Sequence, residues 1–293
     1  MNKALVIGLG MGQQYRDWLD ELGYSVNTVD IDPDKKADFL TVDQAIKHSN
    51  YTIIYIGTPN WTHEPITRQV AKHARLILIE KPGVENEKSW KQLVKDFPLT
   101  RIMMVKNNQY RTEILEFKRL ADISNRIYVK WNNKNRIPHP GSWFTTKSKS
   151  FGGVSRDLIP HMLSYYSALT NYKSGIKLFS QKKQNHSLET IIDTDYGTVN
   201  YNGIYDVDDK CEIEFKNKNT TWILTANWKN DKEDDSSITF NTPDGNIRFE
   251  LGLCPKEAYQ NMIQTAVQNL DNDIFWQDQL EQDIWIHNQI EHL

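Results

Sequence analysis

Two cysteines in 293 residues, Cys211 and Cys254, provide neither a disulfide framework nor thiolate metal-ligand spacing. The eight histidines are scattered without ligand spacing, so no metal is expected. Charge of one sign is also missing: 35 Lys and Arg stand against 38 Asp and Glu. The formal net charge of −3 leaves no basic field for nucleic acid. No apolar run approaches the length of a membrane span. The first apolar stretch, Ala4 to Ile7, is too short for a signal segment and ends at glycines. Internal repeats and low-complexity stretches are absent. These absences point to a cytoplasmic protein with a small-molecule partner, and the length accommodates two domains.

The first hundred residues carry the clearest order. Ala4 to Ile7 reads as a buried strand that stops at Gly8-Leu9-Gly10-Met11-Gly12. A helix follows from about residue 13 to Leu22, closed by Gly23, and Ser25 to Val29 makes a second strand ending at Asp30. Gly8 and Asp30 lie 22 positions apart, near the ~20 of a dinucleotide-binding fold. Glycines in such a loop let backbone approach a pyrophosphate, the helix N-terminus favours its charge, and the acid binds ribose hydroxyls. The usual third glycine position falls on Gln13, with Gly12 one residue early. Either the loop is one residue shorter, or Gly12 does the third glycine's job in a tighter turn.

Strands then alternate with helices. Thr52 to Ile56 precedes Gly57-Thr58-Pro59-Asn60-Trp61-Thr62-His63 and a helix to His73. Leu76 to Ile79 ends in Glu80-Lys81-Pro82, a helix is centred on residues 90–94, and Arg101 to Val105 is a fifth strand. This alternation predicts a doubly wound parallel sheet that binds ligands at the carboxyl ends of its strands, where Asp30, Thr58, Asn60 and Lys81 fall. A carboxylate at Asp30 would repel a 2′-phosphate and so favours NAD over NADP, a preference that Lys35 and Lys36 could soften.

After Arg111 the pattern changes. A helix to about Ala121 leads to a strand from Arg126 to Trp131, then a polar, aromatic loop over residues 132–150. Strand-like runs cover 175–180, 190–195, 198–205, 210–215, 221–227 and 238–240, and two helices close the chain at roughly 255–270 and 275–290. The expected architecture is an α/β Rossmann dinucleotide-binding domain, 1–108, followed by an α+β domain with a largely antiparallel sheet, 109–293. One face of that sheet would be covered by a helix and the other by a second copy of the chain, giving a homodimer or higher homo-oligomer.

Between these parts lies Gly152-Gly153-Val154-Ser155-Arg156-Asp157-Leu158-Ile159-Pro160-His161, opening a run of apolar residues at helical spacing. Asp157 and His161, four apart, would share one helix face and could serve one site. Histidine suits proton transfer near neutral pH and a carboxylate can orient it.

The order of a glycine loop, T-P-N-x-x-H, E-K-P and G-G-x-x-x-D-x-x-x-H resembles the glucose–fructose oxidoreductase / inositol dehydrogenase (Gfo/Idh/MocA) family over residues 1 to about 170. The resemblance implies that Gly8, Gly10, Met11, Gly12, Asp30, Thr58, Pro59, Asn60, Glu80 and Lys81 contact the nicotinamide cofactor. It further implies that Lys81, with Asp157 and His161, performs the chemistry, and that a cis bond can precede Pro82. The family usually has glycine where Ile159 stands and a small residue where Pro160 stands. Asn108, Arg111, His139 and Trp143 are further candidates for substrate contact, since they follow the fifth strand or lie in the aromatic loop.

These features predict hydride transfer between NAD(P) and a hydroxyl or keto carbon of a sugar, sugar derivative or cyclitol. His161 would exchange the hydroxyl proton, Lys81 would stabilise the oxygen, and Asp157 would orient the imidazole or bind a second hydroxyl. Plainer readings stand beside each residue: Asp157 as a helix N-cap, His161 as a core histidine, Lys81 as a solvated strand-end lysine, His63 as packing or capping. Rival functions are a cofactor-binding regulator without turnover and an imine or tetrapyrrole reductase on the same fold.

Overall fold

The computed structural model describes residues 2–230 and 232–293. The chain forms two compact units, Met1–Val105 with Lys256–Asn288, and Lys106–Pro255 with Gln289–Leu293.

The first unit is built on five parallel strands: β1 (Lys3–Ile7), β2 (Ser25–Val29), β3 (Tyr51–Ile56), β4 (Ala74–Ile79) and β5 (Arg101–Met104), in the order β2-β1-β3-β4-β5. Residues 53–56 and 76–79 are fully buried, as unbroken aliphatic runs must be when helices cover both faces of a sheet. The helices are α1 (Gly12–Glu21), α2 (Val42–His48), α3 (His63–Val70) and α4 (Glu87–Asp96). A Thr41–Gln44 capping box starts α2, and the Asn86 side chain caps α4. Chain direction across the sheet reverses between β1 and β3, which opens the crevice where such sheets take ligands.

The second unit contains α5 (Ile114–Ile123), β6 (Arg126–Asn132), α6 (Lys147–Ser150), α7 (Val154–Asp157), α8 (Ile159–Leu169), β7 (Ile176–Lys183), β8 (Lys210–Asn217), β9 (Thr220–Asn227), β10 (Asp235–Thr242) and β11 (Gly245–Glu250). Its sheet runs β11-β10-β6-β9-β8-β7, antiparallel except for β6 with β9. Cys211, Ile213 and Phe215 alternate inward along β8. Beneath them Tyr166 of α8 stacks on Phe215 at 4.7 Å and meets Trp222 edge-on at 5.2 Å, so the apolar α8 is the core of this unit.

Three expectations are corrected here. The runs 190–195 and 198–205 are not strands: β7 pairs directly with β8, and residues 184–209 form an irregular crossover with one short 3₁₀ turn, Leu188–Thr190. Its backbone groups bond to side chains and loops instead, as Tyr201 Oη does to the carbonyls of Ile191 and Ile192 at 3.2 Å. The strand expected at 238–240 is present as the middle of the longer β10, which pairs with β11 across a turn at Pro243-Asp244. The single helix expected to carry Asp157 and His161 breaks at Leu158, because Pro160 has no N–H to offer the carbonyl four residues back.

The closing helices α9 (Lys256–Gln268) and α10 (Asp273–Glu291) return to the first unit through residue 288, so the partition differs from the expected 1–108 and 109–293. Tyr259 of α9 stacks on Trp18 of α1 at 4.3 Å, and Lys256 bonds Glu21 at 2.8 Å. The Asp283 carboxylate of α10 accepts the Met104 N–H at 3.1 Å. Buried Met262, Ile263 and Ala266 form the face that α9 turns inward.

Candidate active site

Backbone hydrogen bonds continue past the strand ends of the first unit and line its turns up side by side. Gly8 N–H donates to Val29 O, Gly57 N–H to Ile7 O, Glu80 N–H to Ile56 O and Val105 N–H to Ile79 O, all at 2.8–2.9 Å. The glycine loop, the Thr58-Pro59-Asn60 turn and the Glu80-Lys81-Pro82 turn therefore share one edge of the sheet. Helix α1 begins at Gly12, and a Cβ there would lie 2.8 Å from Val6 Cγ1 and 3.5 Å from Tyr55 Cε1. Gly12 thus does the close helix–sheet packing of the third glycine, one residue earlier than usual. The α1 N-cap, Met11, makes no side-chain cap bond, and the first turn carries no acidic residue. A Cβ at Gly10 would meet nothing within 4 Å. Open space at Gly10 and an uncapped helix N-terminus are what a pyrophosphate requires.

Asp30 closes β2 with both carboxylate oxygens engaged: Oδ2 accepts Leu9 N–H at 2.7 Å and Oδ1 accepts Asp32 N–H at 2.9 Å. The acid is thereby fixed against the glycine loop with lone pairs remaining for ribose hydroxyls. Lys35 and Lys36 are exposed just beyond it.

The next two turns are joined by His63, which is fully buried at the start of α3. Its Nδ1 lies 2.7 Å from Gly83 O and its Nε2 2.7 Å from Thr58 O. Burial lowers the affinity of this imidazole for a proton, against the pull of the two carbonyls. The Lys81–Pro82 bond is cis, as the resemblance implied. Glu80 Oε1 accepts Tyr55 O–H at 3.1 Å and Oε2 accepts Lys81 N–H at 3.2 Å. Burial raises the Glu80 carboxyl, with Lys81 and the hydrogen bonds pulling the other way. Tyr55 itself stacks on Tyr15 at 3.6 Å and is pushed well up, first by burial and then by Glu80.

In the second unit, Asp157 and His161 flank the break between α7 and α8. Asp157 is not a helix N-cap: it ends α7, and its Oδ2 accepts the Trp228 indole N–H at 2.8 Å. His161 is half-buried and its ring lies 5.4 Å from that of Trp131. The start of α7 is bound by Asp208, whose Oδ1 accepts Gly153 N–H at 3.1 Å and Ser155 O–H at 2.9 Å, and whose Oδ2 accepts Ser155 N–H at 2.8 Å. A Cβ on Gly153 would fall inside the Asp208 carbonyl oxygen, so only glycine permits this approach.

The remaining candidates form two other groups. Asn108 and Arg111 are buried: Arg111 Nη2 donates to Leu251 O at 2.9 Å, while Tyr165 O–H reaches Asn108 Oδ1 at 3.2 Å. Asn108 Nδ2 has no hydrogen-bond partner. Trp143 stacks on Phe144 at 3.8 Å, and His139, with φ of 38°, packs on Phe144 and Tyr196. Motif reading did not single out Trp228 or Asp208. They lie 71 and 53 positions from the residues they hold, and neither sits in a recognisable pattern. Among the described residues no cluster of three His, Cys, Asp or Glu side chains could hold a metal ion, and no helix is long and apolar enough to cross a membrane.

No protein-family model matches the sequence, and no curated protein matches it either. Solved structures do match its fold. GenD2 from gentamicin A biosynthesis, solved with NAD, superposes with a TM-score of 0.73 at 17% identity over 98% of this chain and 93% of that one. A myo-inositol dehydrogenase from Corynebacterium glutamicum gives 0.72 at 13% identity, covering 98% and 95%. Levoglucosan dehydrogenase with NADH and levoglucosan gives 0.69 at 16% identity, covering 86% and 74%. At such identities the shared property is the fold: a Rossmann-like parallel sheet followed by a mostly antiparallel one. It is the fold that the four sequence motifs implied.

Proposed function

We propose that the chain is an NAD(P)-dependent oxidoreductase that transfers a hydride between nicotinamide and a hydroxyl or keto carbon of a sugar, sugar derivative or cyclitol. The observation that carries this reading is the alignment, on one sheet edge, of an open glycine loop, an anchored Asp30, the Thr58-Pro59-Asn60 turn and Lys81. Proteins of the same fold are named as inositol and levoglucosan dehydrogenases; GenD2 was solved with NAD and levoglucosan dehydrogenase with NADH.

The residues present fit the dinucleotide. Gly8, Gly10, Met11 and Gly12 would hold the pyrophosphate, Asp30 the adenosine ribose, and Thr58, Pro59, Asn60, Glu80 and Lys81 the nicotinamide end. When bound, the nicotinamide supplies or accepts the hydride. His161 takes the substrate hydroxyl proton in oxidation and returns it in reduction. Asp157 holds its orientation through the Trp228 indole and directs the imidazole or a second hydroxyl. Lys81 stabilises charge developing on the oxygen. Trp143 and His139 offer aromatic faces to sugar C–H surfaces, and the free Nδ2 of Asn108 is a buried donor with Arg111 behind its oxygen.

Asp30 favours NAD, since a carboxylate at the end of β2 would repel a 2′-phosphate. The two free cysteines suit a reducing cytoplasm. Outward-facing Lys210, Glu212, Glu214 and Lys216 on β8 offer a self-complementary face for a homodimer. The rival reading is a regulator that binds NAD(P) without turnover. Oxidation of a panel of cyclitols and sugars, followed by NADH appearance, tests the proposal. Tight NADH binding with no turnover in either direction would favour the regulator.

A further inference from the structure

We infer that His63 and His287 form a two-sided clamp on the turn that carries Lys81, which makes the carboxy-terminal helix α10 a working part of the nicotinamide end of the site. The inference rests on the assignment of Lys81 to that end. It concerns groups 18 and 206 positions from the lysine.

The turn Lys81-Pro82-Gly83-Val84 leaves β4 and is met by one buried imidazole on each side. His63 sits between Gly83 O and Thr58 O at 2.7 Å from each, and because both oxygens can only accept, the neutral ring favoured by burial donates to one of them at a time. His287, also fully buried, comes from α10. Its Nδ1 lies 2.7 Å from the Asp283 carbonyl one helical turn back, an oxygen that can only accept. Nδ1 must therefore carry the proton, and the Nε2 lone pair faces Val84 N–H at 3.3 Å. The chemistry fixes a single tautomer, neutral with hydrogen on Nδ1.

Packing holds the ring in that pose. His287 stacks on Trp90 of α4 at 4.8 Å and 27°. A Cβ on Gly83 would come within 2.7 Å of His287 Nε2, so the ring abuts the turn itself. The same helix binds the end of β5 through Asp283 and helix α4 through Asn288, which donates to Glu87 at 2.7 Å. A turn gripped at Gly83 O from one side and Val84 N–H from the other cannot slide without losing a buried hydrogen bond. Misplacing a reacting group by about 1 Å can cost roughly a hundredfold, so such a grip acts on the lysine without touching any ligand. Both histidines are positioning residues.

The experiment compares His287→Phe, which keeps the stack on Trp90 and loses the acceptor, with His287→Gln, which restores an acceptor near Nε2. Ile274→Ala, at an exposed site on the same helix, is the control. The probes are NADH and ADP-ribose, the latter lacking nicotinamide. His287→Phe should weaken NADH about tenfold, the effect of one lost buried hydrogen bond, while ADP-ribose affinity stays unchanged. His287→Gln should recover most of the loss, and ¹⁵N spectra of the unaltered protein should show His287 protonated on Nδ1. Equal weakening of both probes, or of neither, overturns the clamp, as does an Nε2–H tautomer. Should the phenylalanine variant not fold, the tautomer and the glutamine variant decide alone. An unaltered protein that binds neither NADH nor NADPH overturns the functional reading instead.

Discussion

The strand-end turns of the first unit and the Asp157–His161 corner of the second are positioned by opposite means. On the sheet edge, neighbouring turns are fixed by backbone bonds between adjacent parallel strands. At the corner, a short helix is fixed by side chains from far along the chain: Asp208 holds its start and Trp228 its last residue. Backbone positioning tolerates changes in most side chains. Side-chain positioning concentrates the risk in two residues.

The largest expected effect lies at the corner. His161→Ala should lower turnover on the order of 10²–10⁴-fold, while NADH affinity, measured by fluorescence titration, stays unchanged. Retained turnover would remove the imidazole from the chemistry. Next, Gly153→Ala forces apart α7 and Asp208. It should cost about 2–4 kcal/mol of stability in denaturant unfolding, at the upper end of the usual mutational range and above. A near-neutral result would mean that the corner is as tolerant as the sheet edge.

A smaller effect is expected for Trp228→Phe, which keeps a ring and removes the donor to Asp157. The loss should be about 1–2 kcal/mol in kcat/KM, the worth of a hydrogen bond to a charged group, with an upward shift of any acid limb belonging to Asp157. Unchanged kcat/KM and pH profile would show that the indole only packs. Asp30→Ala should then narrow the preference for NADH over NADPH by roughly tenfold, read from paired titrations.

The gentlest effect is on pH dependence. Burial lowers the proton affinity of His63 in the folded state, so the unfolded chain takes up that proton first. Its contribution is complete above the unfolded pKa of about 6.5 and declines as pH falls through the lower folded value. Glu80 runs the other way, its folded pKa being raised by burial. Whatever stabilisation its retained proton gives is present at low pH and lost as pH rises. His63→Asn should flatten the decline in thermal midpoint between about pH 7 and 5; an unchanged slope would assign that decline to other groups.

The sequence made the two regions unequally legible for the same reason. Short aliphatic runs, Gly8, Asp30 and the turns after β3 and β4 are local patterns, and a parallel sheet converts local pattern into position. The grip on Asp157 was invisible because Trp228 and Asp208 act across long separations and belong to no motif. The break at Pro160 was readable from its missing N–H, yet the apolar spacing from Leu158 to Leu169 suggested one continuous helix. The strands expected within 190–205 fail because the alternation there reflects a crossover packed on side chains, not a sheet. The hairpin from β10 to β11 carried its signal in Pro243-Asp244-Gly245.

The segment between Lys183 and Lys210 contributes nothing to the ladder it interrupts, since the strands on either side pair directly. Its far end is fastened to α7 by Asp208, while Ile192, Tyr201 and Ile204 on the way stay exposed. Substitution at those exposed side chains leaves the sheet paired, whereas the backbone of the span is tied to residues 135–147 and buries Ile191 and Val207. Those side chains offer laboratory evolution a surface to vary beside the fixed Asp157–His161 corner.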